Sequence, residues 1–235
     1  MASHYFITGT DTEIGKTLVA GAMILRLRQQ YQRVAGFKPV AAGMYRNKNN
    51  QLANEDVETL MLASTLSLPA TIVCPYQLDQ AAAPHLVAKQ LGIELDLATM
   101  LAAYQQLSQQ VDAVVVEGAG GFLVPFSDEF DLADFAVALK LPVILVVGLR
   151  LGCLNHALLT VAAIEQRGLK LAGWVANTLD PQMPLLHENI ASLKERIAEP
   201  LLGIIDYLPP ALKKISSAPY SLPALEFAMK SLNLP

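Results

Sequence analysis

The stretch FITGTDTEIGKTLVAG, Phe6 to Gly21, restricts this chain more than any other. A short β-rich run ends at Gly9, a Gly-Lys-Thr follows at residues 15 to 17, and apolar residues then recur at helical spacing. Glycines between a strand and a helix let the backbone turn its N–H groups toward an anion, and the helix N-terminus adds its dipole. The usual phosphate loop spells Gly, four residues, Gly-Lys-Ser/Thr. Here five residues, Thr10 to Ile14, separate Gly9 from Gly15. The context is that of a phosphate loop and the length makes it a variant. In such a loop Lys16 holds the β- and γ-phosphates and the Thr17 hydroxyl binds Mg2+.

The rest of the chain alternates. Strand-like VAGFKPV, TIVCPYQL, AVVVE, LPVILVVG, LAGWVANTL and PLLGIIDYL are separated by helical patterns such as DVETLMLAST, ELDLATMLAAYQQLSQQ, NHALLTVAAIEQRG and PLLHENIASLKERI. The tail PALEFAMKSLNLP reads as a helix, and residues 44–55, MYRNKNNQLANE, as a polar loop. Continuous apolar strands between helices predict an α/β fold, a mostly parallel sheet with helices on both faces, of the P-loop NTPase type. No repeat or linker interrupts the 235 residues, so residues 1–235 read as a single domain. Ligands of such sheets bind at the carboxyl ends of the strands.

Only 16% of the residues are charged, against about 25% in an average protein, while 53% are hydrophobic. That surplus asks for a thick interior and a buried subunit contact. A net charge of −4 argues against a nucleic-acid footprint. The apolar run Leu141 to Leu149 falls far short of the ~20 residues that span a membrane. MASHYFITGT has no basic-then-apolar leader, so the expected location is cytoplasmic. Cys74 and Cys153 lie far apart without paired spacing, which argues against a disulfide or a zinc site.

Four further features carry chemistry. Glu117 ends a buried strand, well placed for Mg2+ or its water, and Gly118 to Gly121 after it permit close approach by a ligand without spelling a dinucleotide fingerprint. Lys38 ends the second strand beside Pro39 and would share a crevice with Lys16, and paired cations over one phosphate suit phosphoryl transfer. Asp56 is either a helix cap or a second Mg2+ carboxylate; spacing leaves both open. VANTLD offers Asn177 as a weak base contact, with Thr178 where a guanine-reading motif needs lysine. His4, His85, His156 and His187 are scattered and read as structural.

YFITGTDTEIGKT, GFKPVAAG, VVVEGAGGFLVP, LPVILVVGLRLGCLNHALLT and GWVAN stand in the order and spacing of the dethiobiotin synthetases, and the chain resembles that family over nearly its whole length, more weakly after about residue 180. The resemblance implies ATP-dependent closure of a cyclic urea from 7,8-diaminopelargonic acid and CO2 or bicarbonate, through a carbamate and a carbamic–phosphoric anhydride. It implies that Glu13, Ile14, Gly15, Lys16, Thr17 and Leu18 cradle ATP, with Thr17, Asp56 and Glu117 on Mg2+. Gly118, Ala119 and Gly120 would line the nucleotide, and Asn177, Thr178, Asp206, Tyr207 and Leu208 would face the base. Lys16 and Lys38 would act on the transferring phosphoryl group and the carbamate, with Thr12 and Glu13 beside the diamine. Ala42 stands at a substrate-contacting position where many relatives have a hydroxyl, and Asn189 where some have a tyrosine; Asp206 replaces a frequent proline. The family is a homodimer with its site at the interface, so Cys153, Leu154 and Asn155 of the second copy would receive the substrate carboxylate.

Rival classes fit less well. A small-molecule kinase needs an arginine-bearing lid, and the arginines here are dispersed. A partitioning-type switch ATPase carries a lysine five positions before the loop lysine, where this chain has Asp11. An amide ligase of similar loop style usually adds a glutaminase domain, for which 235 residues leave no room.

Overall fold

A computed structural model describes residues 3–215 and 217–235. Met1 and Ala2, which head the stretch read above for a leader, lie outside the described residues, as does Ser216.

β1 (Ser3–Gly9) runs through the glycine loop into α1 (Lys16–Leu27), and β2 (Val34–Phe37) follows. The expectation of one strand through VAGFKPV is corrected here. The chain breaks at Lys38 and Pro39, and β3 (Val40–Ala42) joins a separate two-stranded sheet. Pro39 has no N–H for a ladder, and the Lys38 N–H donates to the Val73 carbonyl at 2.9 Å instead. The polar loop of residues 44–55 contains a tight hairpin, β4 (Tyr45–Arg46) against β5 (Leu52–Ala53). Asn50 at its turn takes a left-handed φ of 58°, which asparagine tolerates well. α2 (Glu55–Ala63) is capped by Asn54, whose side chain accepts from the Asp56 and Val57 amides. TIVCPYQL, read as one strand, divides into α3 (Ala70–Val73) and β6 (Tyr76–Leu78). Pro69 opens the first piece and Pro75 separates the two, overriding the β-branched composition.

α4 (Pro84–Leu91) and α5 (Leu97–Ser108) lead to β7 (Ala113–Glu117). α6 (Leu132–Leu139) starts on a capping box of Asp131 and Asp134. β8 (Val143–Leu149), α7 (Cys153–Gln166), β9 (Leu171–Thr178), α8 (Leu186–Arg196), β10 (Leu201–Ile205) and α9 (Leu222–Lys230) complete the order.

Six strands form the main sheet in the order β10-β9-β8-β1-β7-β2, every pairing parallel. β7 and β8 are buried from end to end, as continuous apolar strands between two helical layers must be. Successive side chains of β1 serve opposite layers: Phe6 belongs to the core cluster that holds Phe135 and Trp174, Ile7 to the one that holds Leu18, Ile24 and Val115. On the second face α9 crosses α1 at Gly21, where an added Cβ would lie 2.7 Å from Leu225 Cδ2. Helix α1, which carries the loop residues, is therefore clamped between the sheet and the C-terminal helix.

His4 on β1 lies 2.8 Å from the Tyr104 hydroxyl, and burial lowers its pKa. Below its ordinary value of 6.5 the unfolded chain takes up a proton that the folded chain resists, so stability falls as the pH drops through that range. His4→Phe is expected to flatten this acid-side loss, measured as the shift in urea midpoint between neutral pH and about pH 5.

Candidate active site

β1 lies in the middle of the sheet with β7 on one side and β8 on the other, so the chain leaves in opposite directions around its carboxyl end. That is the switch point at which parallel sheets open a crevice. The lengthened loop sits there. Its extra length is accompanied by two departures from ordinary backbone, one on each side of Ile14: Glu13 takes a left-handed φ of 57° and Gly15 one of 88°. Gly15 also meets Asn177, since a Cβ on it would lie 2.2 Å from the Asn177 amide nitrogen. The same amide donates to the Ile14 carbonyl at 2.8 Å. Buried Asn177 thus braces the back of the loop from the end of β9.

Thr17 Oγ1, in the first turn of α1, stands 2.8 Å from Asp56 Oδ1 and 2.7 Å from Glu117 Oε1. One hydroxyl proton cannot serve both carboxylates, so the cluster has a surplus of acceptors. Lys38 meets part of that surplus. Its Nζ lies 2.9 Å from Glu117 Oε1, 3.1 Å from Asp56 Oδ2 and 3.3 Å from the Gly118 carbonyl. Glu117 Oε2 is buried with no hydrogen-bond partner among the described residues. Burial opposes charge on Lys38, but Asp56 and Glu117 outweigh it and the pKa rises. Burial likewise opposes ionisation of Asp56, yet Lys38 and Thr17 hold its pKa down. Burial raises Glu117.

A hydroxyl and two carboxylates form a hard oxygen donor set. The observed oxygen spacings approach the ~3 Å between neighbouring ligands on a Mg2+ ion octahedrally bound at 2.0–2.1 Å. The partnerless Glu117 Oε2 and the acceptor surplus both fit a small divalent cation or its water. Asp56 cannot be the helix cap, because Asn54 holds that position; its carboxylate is free to face the cluster.

Lys16 turns back over the loop and donates to the Asp11 carbonyl at 2.7 Å. Burial and the nearby Lys38 lower its pKa to about 8. Among the described residues no carboxylate forms an ion pair with it, so this buried ammonium is poorly compensated. Thr12 lies on the exposed side of the loop, near Gly120, whose hypothetical Cβ would come 3.5 Å from Thr12 Oγ1. Gly120 itself takes a left-handed φ of 64°.

A cleft of about 280 Å3 opens beside the loop. Glu13, Gly15 and Leu18 form one wall, Asn177 and Thr178 another, and Tyr207 and Leu208 a third. Asp206 is exposed just before them and does not line the cleft. Ala119 is half-buried in the loop after β7. Ala42 ends β3 and is half-buried. Cys153, Leu154 and Asn155 open α7 after β8, where Gly152 at φ 96° leaves the helix without a side-chain cap. Neither Ala42 nor these three line the cleft or join the carboxylate cluster within one chain. Asn189 lies on α8, its amide donating to the Leu185 carbonyl.

Sequence reading missed several participants. Arg150, one of the dispersed arginines, pairs with Asp11 and ties the α7 approach to the loop. Lys213, Lys214 and Tyr220 line the cleft from a non-periodic stretch with no motif to mark it.

A profile described as an AAA domain matches residues 3–214. The chain is 52% identical over 204 residues to the ATP-dependent dethiobiotin synthetase BioD of Ralstonia nicotianae, covering 87% of this chain and 89% of that protein. It is 49% identical over 216 residues to the protein of the same name from Janthinobacterium sp. (strain Marseille), covering 91% and 92%. In fold it is similar to the Pyrococcus furiosus cell division ATPase MinD, with a TM-score of 0.55 at 17% identity and 98% of both chains covered. The MinC:MinD complex of Aquifex aeolicus matches with a TM-score of 0.56 at 14% identity, over 90% of this chain and 84% of that one. These structural likenesses speak for the fold alone.

Proposed function

The chain belongs to the ATP-dependent dethiobiotin synthetases, and from that premise we propose how its residues divide the work. The protein is an ATP-dependent ligase that makes dethiobiotin. The observation that carries the residue assignment is the convergence of Lys16, Thr17, Lys38, Asp56 and Glu117 at the carboxyl end of the central strand.

One amine of 7,8-diaminopelargonic acid adds to CO2 and gives up a proton, forming a carbamate. A carbamate oxygen then attacks the γ-phosphorus of ATP and ADP departs. The second amine attacks the anhydride carbon, phosphate leaves with the C–O electron pair, the attacking nitrogen gives up one proton, and the cyclic urea closes. Holding both amines on one molecule makes that closure effectively unimolecular. Charge stabilisation is the protein's main contribution to the phosphoryl step.

Lys16 swings from the Asp11 carbonyl to the β- and γ-phosphates, helped by the amides of residues 13 to 18. Lys38, already between two carboxylates, reaches the carbamate and the transferring phosphoryl group. Thr17, Asp56 and Glu117 would hold Mg2+, which when bound would neutralise charge on the β- and γ-phosphates. Gly118 to Gly120 keep the chain close to Thr12 and leave room for substrate. Asn177, Thr178, Tyr207 and Leu208 line the base end of the cleft.

We place the enzyme in the cytoplasm, where its co-substrate ATP is supplied. Among the described residues no helix is long and apolar enough to cross a membrane. Leu151, just before α7, is 95% exposed and Leu159, midway along it, 62%, and this supports a homodimer that brings Cys153 to Asn155 to a partner's diamine site. Residues 1–235 are read as one unit, supported by a sheet whose first strand is central and whose last is at an edge.

Incubation with MgATP, labelled bicarbonate and the diamine should yield a cyclic urea carrying the label, detected by mass spectrometry. Absence of that product removes the assignment. Turnover per chain is expected to fall on dilution below the dimer dissociation constant. A fully active monomer in sedimentation would remove the shared site.

A further inference from the structure

After β10 the chain crosses the outer wall of the cleft before joining α9. Two consecutive lysines on this crossing face different neighbours. Lys213 Nζ sits 4.0 Å from the centroid of the Tyr207 ring and also donates to its hydroxyl. Lys214 Nζ pairs with Glu55, the residue beside Asp56, and lies 5.6 Å from the Tyr220 ring centroid. Both lysines line the cleft together with Gly15 and Leu18, at the end of the loop and the first turn of α1.

That position determines what each can do. The helix start offers N–H groups and a positive dipole end to phosphate, and Lys16 and Lys38 are both buried and do not line the cleft. The outer part of the cleft has Lys214 as a cation above the same helix start. The Lys214–Glu55 pair is partly exposed, with side-chain accessibilities of 25% and 29%, so it is worth little on its own. An ammonium has three protons and can keep Glu55 while donating to a phosphate oxygen. Lys213 is occupied differently. A cation over one face of Tyr207 fixes the ring's orientation and leaves its other face as a stacking wall.

Resting on the nucleotide-cleft reading above, we propose that Lys214 contacts the phosphates of the bound nucleotide while Lys213 positions Tyr207 against its base. The two lysines then respond to different parts of one ligand. Lys214 recognises charge and Lys213 acts through an aromatic ring, so their effects separate when the phosphates are removed from the ligand.

The experiment is calorimetric titration of the full chain with ADP and with adenosine, Mg2+ present throughout, at low and high salt. Lys214→Met is expected to weaken ADP about tenfold, as loss of one charge-assisted phosphate contact does. It should leave adenosine within about twofold and reduce the salt dependence of ADP binding, while Lys214→Arg restores most of the loss. Lys213→Met is expected to weaken ADP and adenosine by one common factor of about three. Glu55→Gln, which frees the ammonium of its carboxylate, should tighten ADP and serves if Lys214→Met folds poorly. Equal weakening of ADP and adenosine by Lys214→Met, or weaker ADP binding by Glu55→Gln, overturns the proposal. Wild-type protein that fails to bind ADP overturns the cleft reading with it; wild-type binding that Lys214→Met leaves unchanged overturns this proposal alone.

Discussion

Lys38→Ala is expected to cut turnover by roughly two to four orders of magnitude, the range in which removal of a charge-stabilising group falls, and to destabilise the protein as well. The second effect follows from the cluster. Lys38 is 3% exposed and Glu117 1%, and the ammonium lies within 3.1 Å of both carboxylates. Removing one partner from a buried ion pair leaves an uncompensated buried charge and costs about 3–5 kcal/mol. Asp56 and Glu117 then face each other across Thr17 with no cation between them. Mg2+ should restore part of the loss by mass action, because it binds the folded cluster and not the unfolded chain. Chemical denaturation with and without Mg2+ measures this. A Lys38→Ala protein with wild-type stability and no Mg2+ response would show that the two carboxylates do not depend on the lysine. Near-normal turnover would remove Lys38 from the mechanism.

Lys16→Met is expected to lower turnover by a similar factor with the opposite structural consequence. Lys16 is 6% exposed, yet among the described residues its ammonium has only the Asp11 carbonyl as a hydrogen-bond partner. Burial without a matching carboxylate lowers its pKa to about 8, so the folded chain without ligand carries a cost that an apolar side chain of similar length avoids. The melting temperature of Lys16→Met should equal or exceed that of wild type while phosphate release nearly stops. A marked loss of stability in this variant would mean that the loop needs the lysine as a structural brace. The pair of substitutions distinguishes a cation bound by its own protein from one reserved for a ligand.

The sequence carried the main sheet because its strands are continuous apolar runs, and AVVVE or LPVILVVG could be little else. It misled where proline intervened. VAGFKPV and TIVCPYQL have strand composition, but Pro39 and Pro75 break the ladders that composition alone would extend. Thr17, Lys38 and Glu117 were legible because each closes or opens an element at the same end of the sheet, whereas spacing left Asp56 open between a helix cap and a metal carboxylate. The helix cap was not legible: Asn54 and Asp56 are both good capping types, and only the coordinates show which accepts the α2 amides. Arg150, Lys213 and Lys214 were invisible for a different reason. They belong to connections without period, and their partners Asp11, Tyr207 and Glu55 become neighbours only through the fold.

The central place of β1 also governs how this molecule can be made. Its neighbours are β7, which begins at Ala113, and β8, which begins at Val143. β1 therefore waits for about half of the chain before it has its first partner, β7, and longer for β8, and the loop of residues 10–15 has no floor until then. Such non-local parallel pairing is slow and leaves apolar strand edges open meanwhile. A chain halted after residue 140 is expected to bind chaperones rather than nucleotide. The phosphate loop comes first in the sequence and is completed late in synthesis.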